Sequence, residues 1–395
     1  MATIRLKPGH VQPVWTGHPW VFSQAIDAIE GAPGPGDVVD VHDPRGAFLG
    51  RGFYSPRSAI PVRIATRDRT DPLDVASLAR RIEDAYRWRR ERLGLPSDET
   101  TGYRLVHAEG DLLPGLVVDV FGKVAAVQFL TVGTKSRESD LVAAVQRATG
   151  AESILEVPSP RNQRIEGFEV VTGVVRGPDV TALAFRERGF DYEIPVEASQ
   201  KTGFYFDQRD NRALVEKLAH GARVLDAFCY VGSFSLAAAR GGASEVVAID
   251  SSPVALLAGA TIAKRHGLEA SIHFTRADLK RHFQTMAQEG RQFDIVVCDP
   301  PRFATTAKDV EAARSAYRRL NGQAFRLVAP GGLLVTCSCS HAMRADDFIR
   351  TVATAARDAG RETTMLSVTG QAPDHPVPPA FPEGRYLKCV LLRVS

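Results

Sequence analysis

Cysteine is scarce in this chain: five occur among 395 residues, at Cys229, Cys298, Cys337, Cys339 and Cys389. The number is odd and no two form a C-x-x-C pair. Neither a secreted disulfide framework nor a structural zinc site is therefore expected, and no metal is assigned. No run of about eighteen apolar residues occurs, so no membrane span is expected. The opening residues, MATIRLKPGH, carry no apolar leader. Together these absences lead to the expectation of a protein of the reducing cytoplasm. An excess of one charge is missing too. The formal net charge is +3, so any nucleic-acid surface must be a local patch rather than a property of the whole chain. Internal repeats and low-complexity tracts are absent as well.

What is present is an ordinary globular composition, 44% hydrophobic and 24% charged, in a chain long enough for two or three domains. Residues 1–70 read as short strands broken by Gly and Pro, among them Ala32–Val41, Ala47–Gly52 and Pro61–Ile64, the pattern of a small β-barrel. Asp71 and Pro72 are expected to open a helix with Leu78, Ile82, Ala85 and Trp88 on its apolar face. Its other face carries Arg80, Arg81, Arg87, Arg90 and Arg92, either a solvated face or a surface for RNA phosphates. Gly94 and Pro96 end it. Residues 71–185 continue as strand–strand–helix–strand–strand: Leu116–Val120 and Lys123–Leu130 around a Phe121-Gly122 turn, a helix over Arg137–Ala148, and strands near Ile154 and Val170. In residues 186–395 short apolar strands alternate with helices. The strands are Arg223–Ala227, Glu245–Asp250, Ser271–Thr275, Asp294–Cys298 and Gly332–Thr336. That rhythm predicts a doubly wound parallel sheet of α/β class.

The chemistry concentrates at the ends of these strands. After Val224-Leu225-Asp226-Ala227 comes a loop, Phe228 to Gly232, and then a helix start. Gly232 lets a ligand approach the backbone, and the helix offers free N–H groups. This is not the dinucleotide fingerprint G-x-G-x-x-G. A zwitterionic amino-acid group fits better, with Asp226 facing its ammonium. Asp250 ends the second strand, where a carboxylate can accept both hydroxyls of a ribose. Asp278 follows the third, where it could receive an adenine amino group. Each aspartate alone could be a helix cap. Three at successive strand ends point to one nucleoside-bearing ligand.

The fourth strand ends in Cys298-Asp299-Pro300-Pro301-Arg302-Phe303. The two prolines stiffen the loop and remove two N–H donors, presenting Asp299 to the amino group of a flat base. The fifth ends in Thr336-Cys337-Ser338-Cys339-Ser340-His341. A thiolate adding to C6 of a cytosine makes C5 nucleophilic enough to take a methyl from a sulfonium. Alternation sends Cys337 and Cys339 to the same side, but the strand is ending here and the loop can part them. Buried inert thiols are the commoner fate of cysteines in strands, and Cys298 and Cys337 are read so. Cys339 lies further out and is read as reactive. His341 is either a proton carrier or polar surface.

With these residues in place, the chain resembles the bacterial 23S ribosomal RNA cytosine-5 methyltransferases of PUA, EEHEE and class I methyltransferase architecture. Gly17-His18-Pro19-Trp20-Val21-Phe22 is similar to that family's opening segment. Tyr103 to Asp111 (YRLVHAEGD) and Leu113 to Asp119 (LPGLVVD) resemble the start of its EEHEE unit. Gly203 to Arg209 (GFYFDQR) resembles the lead into its methyltransferase domain. Asp374-His375-Pro376 and Glu383 to Lys388 (EGRYLK) are similar to its closing motifs. The resemblance implies a PUA barrel over 1–70, a linker helix and EEHEE unit over 71–185, and a Rossmann-like methyltransferase domain over 186–395. It implies S-adenosyl-L-methionine as cofactor, held by Asp226, Tyr230, Gly232, Asp250 and Asp278, with Phe228, Phe234, Ser251 and Asp299 beside them. It makes Cys339 the nucleophile and Asp299 the base contact. Arg302, Phe303, Arg81 and Arg87 are the candidate RNA contacts, 23S ribosomal RNA the partner, and a homodimer is compatible with it. Two departures from that family stand out, Arg302 in place of a usual Lys and a cysteine at position 337; and where better-known cytosine-5 RNA enzymes carry a second cysteine after the fourth strand, this chain has proline. An RNA N-methyltransferase, which needs no thiol, and a non-enzymatic ribosome assembly factor are the competing functions.

Overall fold

A computed structural model describes residues 1–169, 172–304 and 309–395, apart from the side chain of Lys280. The chain divides into two compact units. The first comprises Met1–Tyr192, Ser199–Phe206 and Pro373–Pro382. The second comprises Glu193–Ala198, Asp207–Ala372 and Glu383–Ser395. Among the described residues no helix is long and apolar enough to cross a membrane, and no group of three or more His, Cys, Asp or Glu could hold a metal ion.

The first unit contains two sheets. The N-terminal one has six strands in the order Trp20–Val21, Val62–Thr66, Phe48–Tyr54, Val38–His42, Ala2–Leu6 and Ile26–Glu30. Only the pair Ala2–Leu6 and Val38–His42 is parallel. Alternation directs Ile4, Leu6, Val39, Val41, Val62 and Ile64 into one apolar core. The strands Ala2–Leu6, Trp20–Val21 and Ile26–Glu30 were not legible from local pattern.

The second sheet runs Gly173–Arg176, Ser153–Glu156, Val124–Phe129, Leu116–Phe121 and Gly102–His107. The expected strand near Val170 lies outside the described residues. Helix Glu138–Thr149 buries Leu141, Val142, Ala144 and Val145, in the same core as Val118, Val127 and Ile154. Helix Val75–Leu93 adds Leu78, Ile82 and Ala85 to that core. It does not start at Asp71-Pro72. Asp74 is the N-cap, accepting the Ser77 N–H at 2.8 Å, because Asp71 is engaged with the Leu73 N–H and Arg81.

Two further expectations for this helix fail. Trp88 is exposed, and Arg89 takes the inward place, 1% exposed. Arg89 is accommodated by a two-pronged pair with Asp111 at 2.5 and 2.8 Å and by the carbonyls of Arg104 and Asp374. Arg81 is not a free cation for RNA, since its guanidinium holds Asp71 at 2.6 Å and the Ala65 carbonyl at 2.7 Å. Arg87 remains exposed and pairs with Asp84.

Behind the sheet edge sits a polar cluster. Arg104 and Asp119 face each other across adjacent strands and form two bonds of 2.6 and 2.9 Å. The returning segment Pro373–Pro382 supplies Asp374, which accepts the Arg104 N–H at 3.0 Å and bonds His375 at 2.9 Å. Arg104 donates to Nδ1 of His107 at 2.8 Å, which leaves the ring proton on Nε2. Burial holds His107 well below the ordinary histidine range.

The second unit is a seven-stranded sheet. In chain order its strands are Arg223–Ala227, Glu245–Asp250, Ile272–Arg276, Phe293–Cys298, Val328–Ser338, Thr363–Thr369 and Lys388–Val394. Across the sheet the order is third, second, first, fourth, fifth, seventh, sixth. The first five are parallel and the last two join antiparallel. The order reverses between the first and fourth strands, which places a ligand crevice at their carboxyl ends. Helices Leu279–Gln288, Val310–Leu327 and Ala345–Asp358 contribute Phe283, Tyr317, Phe325 and Phe348 to the core that Leu225, Val296 and Leu334 supply from the sheet. The fifth strand begins four residues before the expected Gly332 and runs on to Ser338.

Candidate active site

Asp226 ends deep in this crevice, 1% exposed. Its Oδ2 accepts the Ser235 N–H at 3.0 Å and the Ser235 hydroxyl at 2.6 Å. Its Oδ1 is buried without a hydrogen-bond partner among the described residues. A buried carboxylate oxygen left open is costly unless a ligand completes it. Burial pushes the Asp226 carboxyl up to about 7, against the pull of the Ser235 bonds and with the charges of Asp299 and Asp250 adding to the rise.

The loop after Asp226 has an unusual backbone. Phe228, Tyr230 and Gly232 have φ of 63°, 55° and 73°, and left-handed geometry at two aromatic residues is a strain that functional loops tolerate. At Gly232 a side chain is also excluded by space, for a Cβ there would lie 2.7 Å from the Phe274 ring. Asp250 steadies the loop by accepting the Tyr230 N–H at 2.9 Å, while its other oxygen accepts the Ser252 N–H at 2.9 Å.

A cleft of about 370 Å³ opens beside this loop, lined among others by Phe228, Asp250, Ser251, Asp278, Pro301 and Phe303. Two of the three strand-end aspartates, Asp250 and Asp278, thus meet in one cavity, and Asp226 is not among its lining residues. Asp278 also caps helix Leu279–Gln288, accepting the Arg281 N–H at 3.2 Å. Capping and ligand contact are compatible, since a carboxylate has further lone pairs. Phe303, expected to touch RNA, instead faces this cleft and packs on Tyr317 at 4.7 Å between ring centres. Phe234 is buried within helix Ser233–Arg240 and is not among the residues lining the cleft. Arg302 is exposed. Local pattern gave no sign of Arg319 and Gln323, which enter the same cleft from helix Val310–Leu327.

Asp299 is half-buried just past the fourth strand. Gln208 donates to its Oδ2 at 2.9 Å, Asn211 donates to the Gln208 side-chain Oε1 at 2.5 Å, and Thr369 donates to Asn211 Oδ1 at 2.6 Å. This relay fixes the direction of the carboxylate. Gln208 lies in the GFYFDQR segment, but a role for it required the fold.

The five cysteines have different surroundings. Cys229, Cys298, Cys337 and Cys389 are buried, and Cys339 alone is partly open. Cys337 sits opposite Cys389 in the strand register, and hydrogen bonding with that thiol, then burial, raise its own thiol far above the usual range. Burial does the same to Cys298. Neither is a ready thiolate. The Cys339 turn is anchored on both sides by buried serines. The Ser340 hydroxyl accepts the Ala304 N–H at 3.2 Å and bonds the Tyr317 hydroxyl at 3.1 Å. The loop after the proline pair and the loop bearing Cys339 are therefore tied together at one edge of the sheet.

These residues fit S-adenosylmethionine. The open Asp226 oxygen matches an ammonium, Asp250 a ribose, and the Phe228, Asp278 and Phe303 wall a flat purine with an amino edge.

Comparison with known proteins agrees. A PUA-like domain model matches residues 4–67, and a model described as S-adenosylmethionine-dependent methyltransferase matches residues 169–392. The chain is 39% identical over 393 residues to Ribosomal RNA large subunit methyltransferase I of Shewanella amazonensis, covering 99% of both chains. It is 36% identical to the protein of the same name from Tolumonas auensis, again over 99% of both. Among solved structures, SMU.776, a methyltransferase complexed with SAH, aligns over 100% of both chains with a TM-score of 0.86 at 20% identity. A SAM-dependent methyltransferase from Streptococcus mutans aligns over the same extent with a TM-score of 0.84. At that identity the two structures speak for the fold alone. On the family match and the full-length relatives, the chain belongs to the S-adenosylmethionine-dependent methyltransferase family that includes the proteins named Ribosomal RNA large subunit methyltransferase I.

Proposed function

We propose that this protein methylates C5 of a cytosine in 23S ribosomal RNA of the large subunit, in the cytoplasm, through a covalent adduct with Cys339. One observation carries this: the partly open thiol stands at the carboxyl edge of the sheet that forms the cofactor crevice, on a turn bound to the Asp299 loop. The names of the full-length relatives supply the RNA.

S-adenosylmethionine, when bound, supplies a methyl on a positively charged sulfur. Asp226 pairs with its ammonium and Asp250 with its ribose. Asp299, aimed by Gln208, accepts from the exocyclic amine of the flipped-out cytosine. The Cys339 thiolate adds to C6, and the C5–C6 π electrons would then form the C5–methyl bond as the donor's sulfur–methyl bond breaks, its electron pair staying on a now neutral thioether sulfur. Water then removes the C5 proton, the C5–H electrons restore the double bond, and the C6–S bond breaks to return the thiolate. Pro300 and Pro301 hold the Asp299 backbone rigid throughout. The N-terminal sheet, Arg87 and Arg302 are the RNA contacts, so binding should weaken with salt.

The test is the product. Nucleosides released from 23S RNA methylated by the protein should contain the label in 5-methylcytidine. Label in an N-methylated nucleoside would transfer the chemistry to Asp299 and remove Cys339 from it.

Asp226 adds a pH dependence. Its folded value, about 7, is above the ordinary one of about 3.9. The ionised form therefore costs the empty protein stability as pH rises above the ordinary value, and a ligand ammonium relieves that cost. Below pH 7 the site is mostly protonated and must lose that proton to bind. Affinity for S-adenosylmethionine should thus fall on the order of tenfold from pH 7 to pH 5.5. In Asp226→Asn calorimetric titration should find weaker binding that is flat across this range. A wild-type affinity already flat from pH 5.5 to 7 contradicts the assignment.

A further inference from the structure

Lys388 takes no part in the cofactor cleft or the base contact described above, yet it is a lysine only 4% exposed. Lysine is almost never buried to this extent without a purpose or a partner. It lies on the last strand to pair with the fifth, in register with Ser338, the residue before Cys339. Its Nζ donates to the carbonyl of Ser340, the residue after Cys339, at 2.7 Å, and to the carbonyl of Tyr386 at 2.8 Å. The ammonium is thus fastened to the turn that bears the sulfur, on both sides of it. Two of its three N–H groups are used, and the third has no partner among the described residues. Among the described residues no carboxylate is paired with it.

We propose that Lys388 is the positioning cation that holds the Cys339 sulfur as a thiolate. The proposal rests on Cys339 being the nucleophile. A fixed positive charge in a desolvated place stabilises a thiolate more than it would in water. Two carbonyl oxygens anchor the ammonium without neutralising it, as a carboxylate would. Burial lowers Lys388 to about 8, while the Cys339 charge raises it and Arg302 lowers it. At neutral pH it is still mainly an ammonium. Other charged or titratable groups around this edge include Tyr317 on helix Val310–Leu327, Asp299 and Arg302 on the proline loop, Cys337 and Cys389 in the adjoining register, and His341, whose ring lies 5.3 Å from that of Tyr386. Of these Tyr317 is held neutral by burial, pushed up to about 12, and Arg302 adds a second positive charge.

The experiment is the pH dependence of iodoacetamide alkylation at Cys339 in the full-length protein, with the modified peptide measured by mass spectrometry. It needs neither RNA nor methyl transfer. The wild-type midpoint should lie below the free-thiol value of about 8.5. Lys388→Met should raise it by at least one pH unit and slow alkylation at pH 7 about tenfold. Lys388→Arg, which keeps the charge, should keep the low midpoint. A wild-type midpoint at or above the free-thiol value overturns the proposal whether or not Lys388→Met folds. So does a Lys388→Met midpoint equal to the wild type's in protein that still binds S-adenosylmethionine. Failure of the nucleophile assignment looks different: Cys339→Ala would then methylate RNA at the full rate, whatever the midpoint.

Discussion

Replacing Cys339 by alanine is expected to abolish turnover, with methyl transfer to 23S RNA falling on the order of 10³-fold or more, while S-adenosylmethionine binds as before. The size follows from the chemistry. Cytosine C5 is too poor a nucleophile to attack the methyl unaided, so without the sulfur the ring must react in its unactivated state. The cofactor should be unaffected, because Cys339 is not among the residues that line the cleft holding Asp250 and Asp278. Filter binding of tritiated methyl groups on RNA measures the first quantity and calorimetry the second. Cys337→Ala is the informative control. That thiol is fully buried against Cys389, so its loss should cost packing and leave most of the rate. Should Cys339→Ala keep even a tenth of the wild-type rate, covalent catalysis is excluded. The network of Gln208, Asn211 and Thr369 on Asp299 would then favour an N-methyltransferase.

The second large effect concerns stability. Arg104→Met should destabilise the first unit by ~3–5 kcal/mol, because it leaves a buried charge without its partner. Asp119 is 0% exposed. Besides Arg104, the Thr202 hydroxyl donates to it. His107 and Thr202 also lose the guanidinium. Methionine restores the bulk but none of the five donors. Scanning calorimetry should show the transition of that unit lowered on the order of 10 °C. A loss of less than 1 kcal/mol would mean that water reaches Asp119. The double variant Arg104→Met with Asp119→Leu should recover much of the loss, since removing both charges is cheaper than removing one.

The two halves of this protein differ in how much of them local pattern reveals. The parallel sheet is written in short apolar strands at helix-length spacing, so its first five strands and the aspartates at their ends could be named in advance. Strand ends are where such sheets bind ligands, and Asp226, Asp250, Asp278 and Asp299 are located by that rule alone. The N-terminal sheet is harder. Several of its strands are edge or half-exposed pieces, and Trp20–Val21 is only two residues long, too short to show a period. The arginine-rich helix misleads because charge on a helix face ordinarily marks exposure. Arg81 and Arg89 are instead drawn inward by Asp71 and Asp111, and Trp88 is turned outward.

The amino-acid sequence by itself determined the class of the second unit, a nucleoside-bearing ligand at its strand ends and the short choice of thiols, since strand spacing, strand-end carboxylates and cysteine positions are local properties, and the family resemblance of its motifs implied the cofactor. Which thiol is usable was decided by the tertiary structure. Cys337 and Cys339 share a side by alternation, and only the arrival of the last strand buries the first against Cys389 while bringing Lys388 to the turn of the second. Residues fifty positions apart had to meet before their charges and their burial could be read.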